Sequence, residues 1–123
     1  MQKIKTSFKS QSFRYNFAVD GGAISSIVTP VVIPAGALML SMFPSLQIIT
    51  PLAGGAGALF AIETPVEVYY DPQLLATYNS GFATTNAAFI NPTLGGTVQM
   101  TISVNTITAG EFIMTLSYWE YVL

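Results

Sequence analysis

The chain contains no cysteine and no histidine. The first absence excludes disulfides and thiol chemistry. Together they exclude zinc sites of the usual Cys/His kind and catalysis by imidazole. Charge is scarce too: 8% of the 123 residues are Asp, Glu, Lys or Arg, where an average soluble domain has about a quarter. Basic residues are the rarest, with Lys3, Lys5, Lys9 and Arg14 and none after position 14. Four cations on a chain of net charge −2 make too small a footprint for nucleic acid. The basic start is not followed by an apolar run of signal-peptide length before Asp20, so no secretion signal is read. The Asn91-Pro92-Thr93 match to a glycosylation site is blocked by its proline. Synthesis and folding in a cytoplasm is the simplest expectation.

What is abundant is apolar surface. Hydrophobic residues make up 51% of the chain, and the mean hydropathy is +0.55. The length fits one domain, 1–123, with 1–14 as a basic N-terminal strand or arm. Such a chain must hide apolar area in a core, a subunit interface or lipid. Lipid is the least fitting of these. Val31 to Ile49 is uncharged and close to the ~20 residues of a membrane span. Yet Pro34 and Pro44 would break a helix, and Gly36, Ser41, Ser45 and Gln47 dilute the run. No basic flank follows it. Buried strands and a homo-oligomer, for example a trimer, are expected instead.

Period-two alternation supports strands. Ile4, Thr6 and Phe8 alternate with Lys3, Lys5, Ser7 and Lys9; Phe13, Tyr15, Phe17 and Val19 then alternate with Arg14, Asn16 and Ala18. These read as two strands with the basic residues on their polar face, closed by a turn at Asp20-Gly21-Gly22. Near the other end, Val98, Met100, Ile102 and Val104 alternate with Thr97, Gln99, Thr101 and Ser103. Phe112, Met114, Leu116 and Tyr118 repeat the pattern after a turn at 107–110, in which Gly110 is free to take positive φ. The pair is predicted to form one antiparallel hairpin. Ile113, Trp119 and Tyr121 fall on the nominally outward face of its second strand, which is expected to meet another sheet or another subunit.

Between the ends lie short apolar segments at 25–28, 31–33, 37–43, 46–50, 58–62 and 66–70, separated by prolines that belong at edges, strand starts or bulges. Asp71-Pro72 is predicted to open a short helix, with Asp71 as N-cap. Residues 78–96 read as a long loop or a weak strand pair. The sum is an all-β chain, an antiparallel β-sandwich of jelly-roll type.

Candidate chemistry is sparse. Glu63 with Glu67, or Glu67 with Asp71, would share a strand face and form a carboxylate pair of the glycosidase kind. Solvated carboxylates are the commoner outcome. Asp20-Gly21-Gly22 lacks the further acids of a calcium loop, and Gly54-Gly55-Ala56-Gly57 lacks the Lys and Ser/Thr of a phosphate loop. Tyr69-Tyr70 and Tyr118-Trp119-Glu120-Tyr121 would suit a sugar-stacking platform, although aromatic strand positions are more often core or interface. No catalytic residue, metal ligand or cofactor is assigned.

The runs "YNFAVDGGAISSI", "VIPAGALML", "IITPLAGGAGALFAI", "PQLLATYN" and "TITAGEFIMTLSYWEY" follow one another in that order. In this the chain resembles small virion structural proteins of tailed bacteriophages, over about residues 15–121. The first fourteen residues lie outside the match, and "MFPSLQ" departs from it. The resemblance implies a β-sandwich or jelly-roll subunit on the particle surface, acting as capsid decoration (cement), head fibre or spike. It implies self-association, contact with the major capsid protein or other virion proteins, and no catalysis. On this reading Lys3, Lys5, Lys9 and Arg14 would dock on an acidic shell surface, and Ile113, Trp119 and Tyr121 would line an oligomer interface. The alternative is a carbohydrate-binding, receptor-recognising sandwich module.

Overall fold

Alternating residues make strands here because one face of each strand can be buried while the other stays wet. The computed structural model describes residues 1–40, 46–81, 89–90 and 92–122. Nine strands are described: β1 (Lys5–Asn16), β2 (Ser25–Ile33), β3 (Leu38–Leu40), β4 (Leu46–Gly54), β5 (Leu59–Thr64), β6 (Glu67–Leu74), β7 (Phe89–Ile90), β8 (Gly96–Ser103) and β9 (Ile107–Val122). Two short helices, α1 (Phe17–Asp20) and α2 (Leu75–Asn79), complete the set.

The strands form two antiparallel sheets packed face to face, an all-β sandwich. In one, β9 is central: β1 pairs along one flank, β3 and β4 along the other, and β7 pairs β3. The other has the order β2-β8-β5-β6. Between them lies a single apolar cluster. Val98, Met100 and Ile102 of β8 and Phe112 and Met114 of β9 are each at most 1% exposed. Phe60 of β5 links the layers, stacked on Tyr78 of α2 at 3.7 Å and on Phe112 at 5.5 Å. Burying one such side chain stabilises by about 1.5–3 kcal/mol.

The prolines sit where a missing N–H does least harm. Pro30 lies in the register shift of β2 between Val28 and Val32. Pro51 lies in a shift of β4, and Pro72 lies on β6, an edge strand. The apolar run from Val31 to Ile49 is divided among β2, β3 and β4, with 41–45 outside the described residues.

Several expectations are corrected. The predicted hairpin does not form: β8 pairs β2 and β5, β9 pairs β1, β3 and β4, and the two belong to opposite sheets. Their alternating apolar faces meet across the core, and periodicity alone cannot tell facing from pairing. The turn between them falls earlier, at Val104 (φ 70°) and Asn105, while Gly110 takes φ 133° inside β9. The helix expected from Asp71 starts at Leu75, because residues 71–74 continue β6 against Phe60 and Leu59. Phe17–Asp20 is one helical turn rather than strand, capped by the Asn16 side chain on the Ala18 N–H (3.0 Å) and ended by Gly21 at φ 77°. The two N-terminal strands are one, and the basic residues do not share its face, as set out next. Of the 78–96 stretch, 82–88 and 91 lie outside the described residues, and Phe89–Ile90 form β7.

Candidate functional site

β1 and β9 run side by side from the Lys5–Val122 pair to the Asn16–Glu111 pair with no register shift. Even-numbered residues of β1 therefore share a face with odd-numbered residues of β9. Phe13 and Tyr15 face inward with Phe112, Met114 and Leu116. Outward, the Ser12 and Thr115 hydroxyls bond at 2.7 Å. Further along that face Trp119 stands in register between Phe8 of β1 and Leu38 of β3. The Phe8 and Trp119 rings meet edge to face, with centroids 5.1 Å apart. Tyr121 lies opposite Thr6 and is 48% exposed, and Ile4, just before the strand, is 50% exposed.

Of the three expected interface residues, Trp119 and Tyr121 are thus neighbours on this outward face. Ile113 is on the same face but six residues away, about 20 Å along the strand, between Arg14 and Gln47. The aromatic end was visible in the sequence as a change of parity. Apolar residues are even-numbered at Ile4 and Phe8 and odd-numbered at Phe13 and Tyr15. In one strand without a bulge, that change carries the apolar side chains from the core face to the outward face.

The basic residues divide in the same way. Lys5 and Lys9 have the inward parity, but they lie at the end of the strand, where they are exposed. Arg14 points outward. Lys9 Nζ is 2.8 Å from Glu120 Oε2 across the strand pair, and that hydrogen bond and charge raise the Lys9 pKa. Arg14 Nε donates to Glu111 Oε1 at 2.9 Å, and its Nη2 reaches the same oxygen. Among the described residues no ion pair engages Lys3 or Lys5.

The carboxylates are occupied by the fold. Glu63 accepts from the Thr101 hydroxyl at 2.7 Å, which lies 2.9 Å from Ser26 Oγ, in a polar row across the outward face of the β8 sheet. Glu67 accepts from the Thr93 hydroxyl and from the Leu94 N–H at 3.2 Å. Both line an open depression of about 450 Å³ beside the β5–β6 turn, with Gln99 of β8 in register with Glu63. Asp20 accepts from the Asn16 N–H at 2.8 Å. Asp71 is exposed on β6. Among the described residues no group of three His, Cys, Asp or Glu could hold a metal.

Tyr69, Tyr70 and Tyr118 are at most 5% exposed, so the sugar-stacking platform proposed from the sequence reduces to Trp119 and Tyr121. Burial, with the nearby Asp20 charge, pushes the Tyr15 phenol up to about 12. Burial does the same for Tyr69, also to about 12, and pushes Tyr78 up further. These phenols act as neutral donors: Tyr15 to Gly21 O at 2.6 Å and Tyr78 to Phe60 O at 2.8 Å.

Two amide side chains that the sequence did not single out close strand edges. Asn79 accepts from the Leu52 N–H and donates to the Leu52 carbonyl, both at 2.8 Å, on the edge of β4. Gln11 donates to the Val32 carbonyl at 2.7 Å and accepts from the Val32 N–H at 3.4 Å, on the edge of β2. Each replaces a neighbouring strand at one residue. Their partners are 27 and 21 residues away, and no local pattern announces them.

No helix among the described residues is long and apolar enough to cross a membrane. Compared with family models, curated proteins and solved structures, the chain finds no match.

Proposed function

We propose that the protein is a non-enzymatic structural subunit of a virus-like particle, one that assembles with copies of itself and attaches to a shell protein. The observation that carries this reading is the outward face of the β9 sheet, where Trp119 and Leu38 in register, with Tyr121 on the same face and the exposed Ile4 just before β1, put apolar and aromatic surface on a chain with very little charge. Aromatic residues at partly exposed, regular positions are typical of protein interfaces. On this reading Trp119 and Tyr121 belong to the oligomer contact, while Lys3 and Lys5, which have no acidic partner among the described residues, are the cations left to meet an acidic shell.

The winding supports the same reading. One sheet holds β1, β9, β3 with β4, and β7; the other holds β2, β8, β5 and β6. We infer from this alternation of the chain between sheets a jelly roll, an architecture frequent in shell and surface subunits. The absence of catalysis is the companion proposal. It is supported by the hydrogen bonds and ion pairs that hold five of the six acids in place.

Native mass spectrometry tests the reading. The wild-type chain should be an oligomer, and Trp119→Asp with Tyr121→Asp should reduce it to a folded monomer. Replacing Lys3 and Lys5 with Gln should weaken co-sedimentation with particles and flatten its salt dependence. A wild-type chain that stays monomeric at high concentration and does not sediment with particles would sink the proposal.

A further inference from the structure

We infer that the free edge of β1 is a docking edge for an extended, acid-bearing segment of a partner protein, which adds as a further strand to the β9 sheet. This goes beyond the particle reading and rests on the backbone edge of β1; it shares Lys5 with that reading, and Ser10→Pro and the exchange pattern test it separately. Three other edges of the sandwich are closed. β2 is broken at Pro30 and held by Gln11 at Val32. β4 is broken at Pro51 and held by Asn79 at Leu52. β6 carries Pro72, and its Asp71 carbonyl also accepts from the Tyr78 hydroxyl at 3.4 Å. β1 has none of these devices. It runs 12 residues without Pro, Gly or a register shift, and among the described residues β9 is the only strand it pairs with. Long regular edges of this kind accept added strands.

The direction of its backbone groups follows from the end of the strand. Asn16 gives its N–H to Asp20 Oδ2 rather than to β9. Along an antiparallel strand, N–H and C=O groups of alternate residues point to the same side. The unbroken register therefore turns those of Ser10, Ser12 and Arg14 to the open edge as well.

Charge selects the occupant. β1 carries no acid; Glu120 and Glu111 of β9 already pair its Lys9 and Arg14, which leaves Lys5, with Lys3 just before the strand, as the cations without an acidic partner among the described residues. A second β1 would add two more such cations and no free acid, and like charges oppose pairing. A strand bearing Asp or Glu is matched instead. Beside the edge, between β1 and β2, lies a cavity of about 70 Å³ lined by apolar side chains such as Phe13, Ile27, Val28 and Met100 and also by the charged Arg14 and Asp20. It suits a small apolar side chain of the added strand, as alternate-residue pockets do in other strand-addition sites.

The test is fluorescence anisotropy with a labelled peptide alternating valine with glutamate, beside one alternating valine with lysine. The glutamate peptide should bind and the lysine peptide should not. Ser10→Pro removes an N–H directed at the edge and spares the ladder to β9; it should weaken binding about tenfold or more. Lys5→Glu leaves the backbone unchanged and should also weaken it. Amide hydrogen exchange of Ser10 and Ser12 should slow when the glutamate peptide is present. No binding, equal binding by the two peptides, or slowed exchange confined to other strands would overturn the inference. So would undiminished binding by Ser10→Pro with an unchanged circular dichroism spectrum. If Ser10→Pro does not fold, Lys5→Glu and the exchange pattern decide. A fall in mass from dimer to monomer on Ser10→Pro would assign the edge to a second copy and overturn the acidic-partner assignment.

Discussion

The two flanks of β9 are built on opposite plans. Along one, β1 pairs for twelve residues in unbroken register. Along the other, β3 covers Ser117 to Trp119 and β4 covers Ile107 to Met114 with three register shifts. The composition accounts for the contrast. β1 has no proline or glycine, whereas β4 contains Pro51, Ala53 and Gly54. Bulges and prolines bend a strand and end its pairing. The irregular flank spends its edge on the fold, through Asn79. The regular flank leaves its edge available.

The irregular flank should be the more sensitive to mutation, and Gly110 is one of its tight points. It has φ 133°, and a Cβ there would lie 2.5 Å from Leu52 Cδ2 and 2.8 Å from Leu52 Cα. Gly110→Ala therefore combines backbone strain with a clash against β4 and should cost about 2–5 kcal/mol. A urea titration by tryptophan fluorescence measures it. A cost below ~1 kcal/mol would mean that β4 yields easily and the contrast between flanks is overstated.

Asn79→Leu comes next. It removes both bonds to Leu52, whose side chain is only 4% exposed. Leaving a buried N–H and C=O unpaired should cost about 2–4 kcal/mol. Circular dichroism melting would detect it. Hydrogen exchange should show the opening confined to β4 and α2, with β1 amides unchanged.

How much of this was legible in the sequence differs between the same two flanks. The strands, their approximate limits, the edge or bulge positions of the prolines and the sandwich class follow from alternation and composition. So does the inward set Phe112, Met114, Leu116 and Tyr118. Pairing partners do not. β8 and β9 look like a hairpin because a strand's period reports which side is buried and says nothing about its lateral neighbour. The parity change between Phe8 and Phe13 was present in the sequence, but it read as two strands rather than one strand that changes the side it buries. The four basic residues are not equivalent free cations, for a related reason. Glu111 and Glu120, about a hundred residues away, neutralise Arg14 and Lys9, and no local window contains both partners.

On the regular flank, Tyr15 ties stability to alkaline pH. Its phenol is pushed up to about 12 in the fold and titrates near 10 in an unfolded chain. Above pH ~10 the unfolded state loses this proton while the folded state keeps it. The contribution is therefore fully present below the unfolded value. It falls as pH rises toward the folded one, by about 1.4 kcal/mol per pH unit. Tyr69 behaves alike. Urea midpoints should be level up to pH ~9 and drop beyond pH ~10, and Tyr15→Phe should remove its share of the slope. A slope unchanged in Tyr15→Phe would place the alkaline transition elsewhere, away from the β1 flank.

The smallest effect is expected at Lys9 and Glu120. Their ion pair joins β1 to β9 where both strands reach past the core, and the side chains are 50% and 27% exposed. Solvent screens such a pair, and two long side chains must be ordered to hold it. Lys9→Gln should leave the melting temperature essentially unchanged in low and high salt. It should nevertheless change docking. Freed from Lys9, Glu120 adds a negative charge beside the β1 edge, so the glutamate peptide should bind more weakly while stability stays constant. A loss of stability without a loss of binding would show that the cations of β1 serve its pairing with β9, and that the open edge does not select its partner by charge.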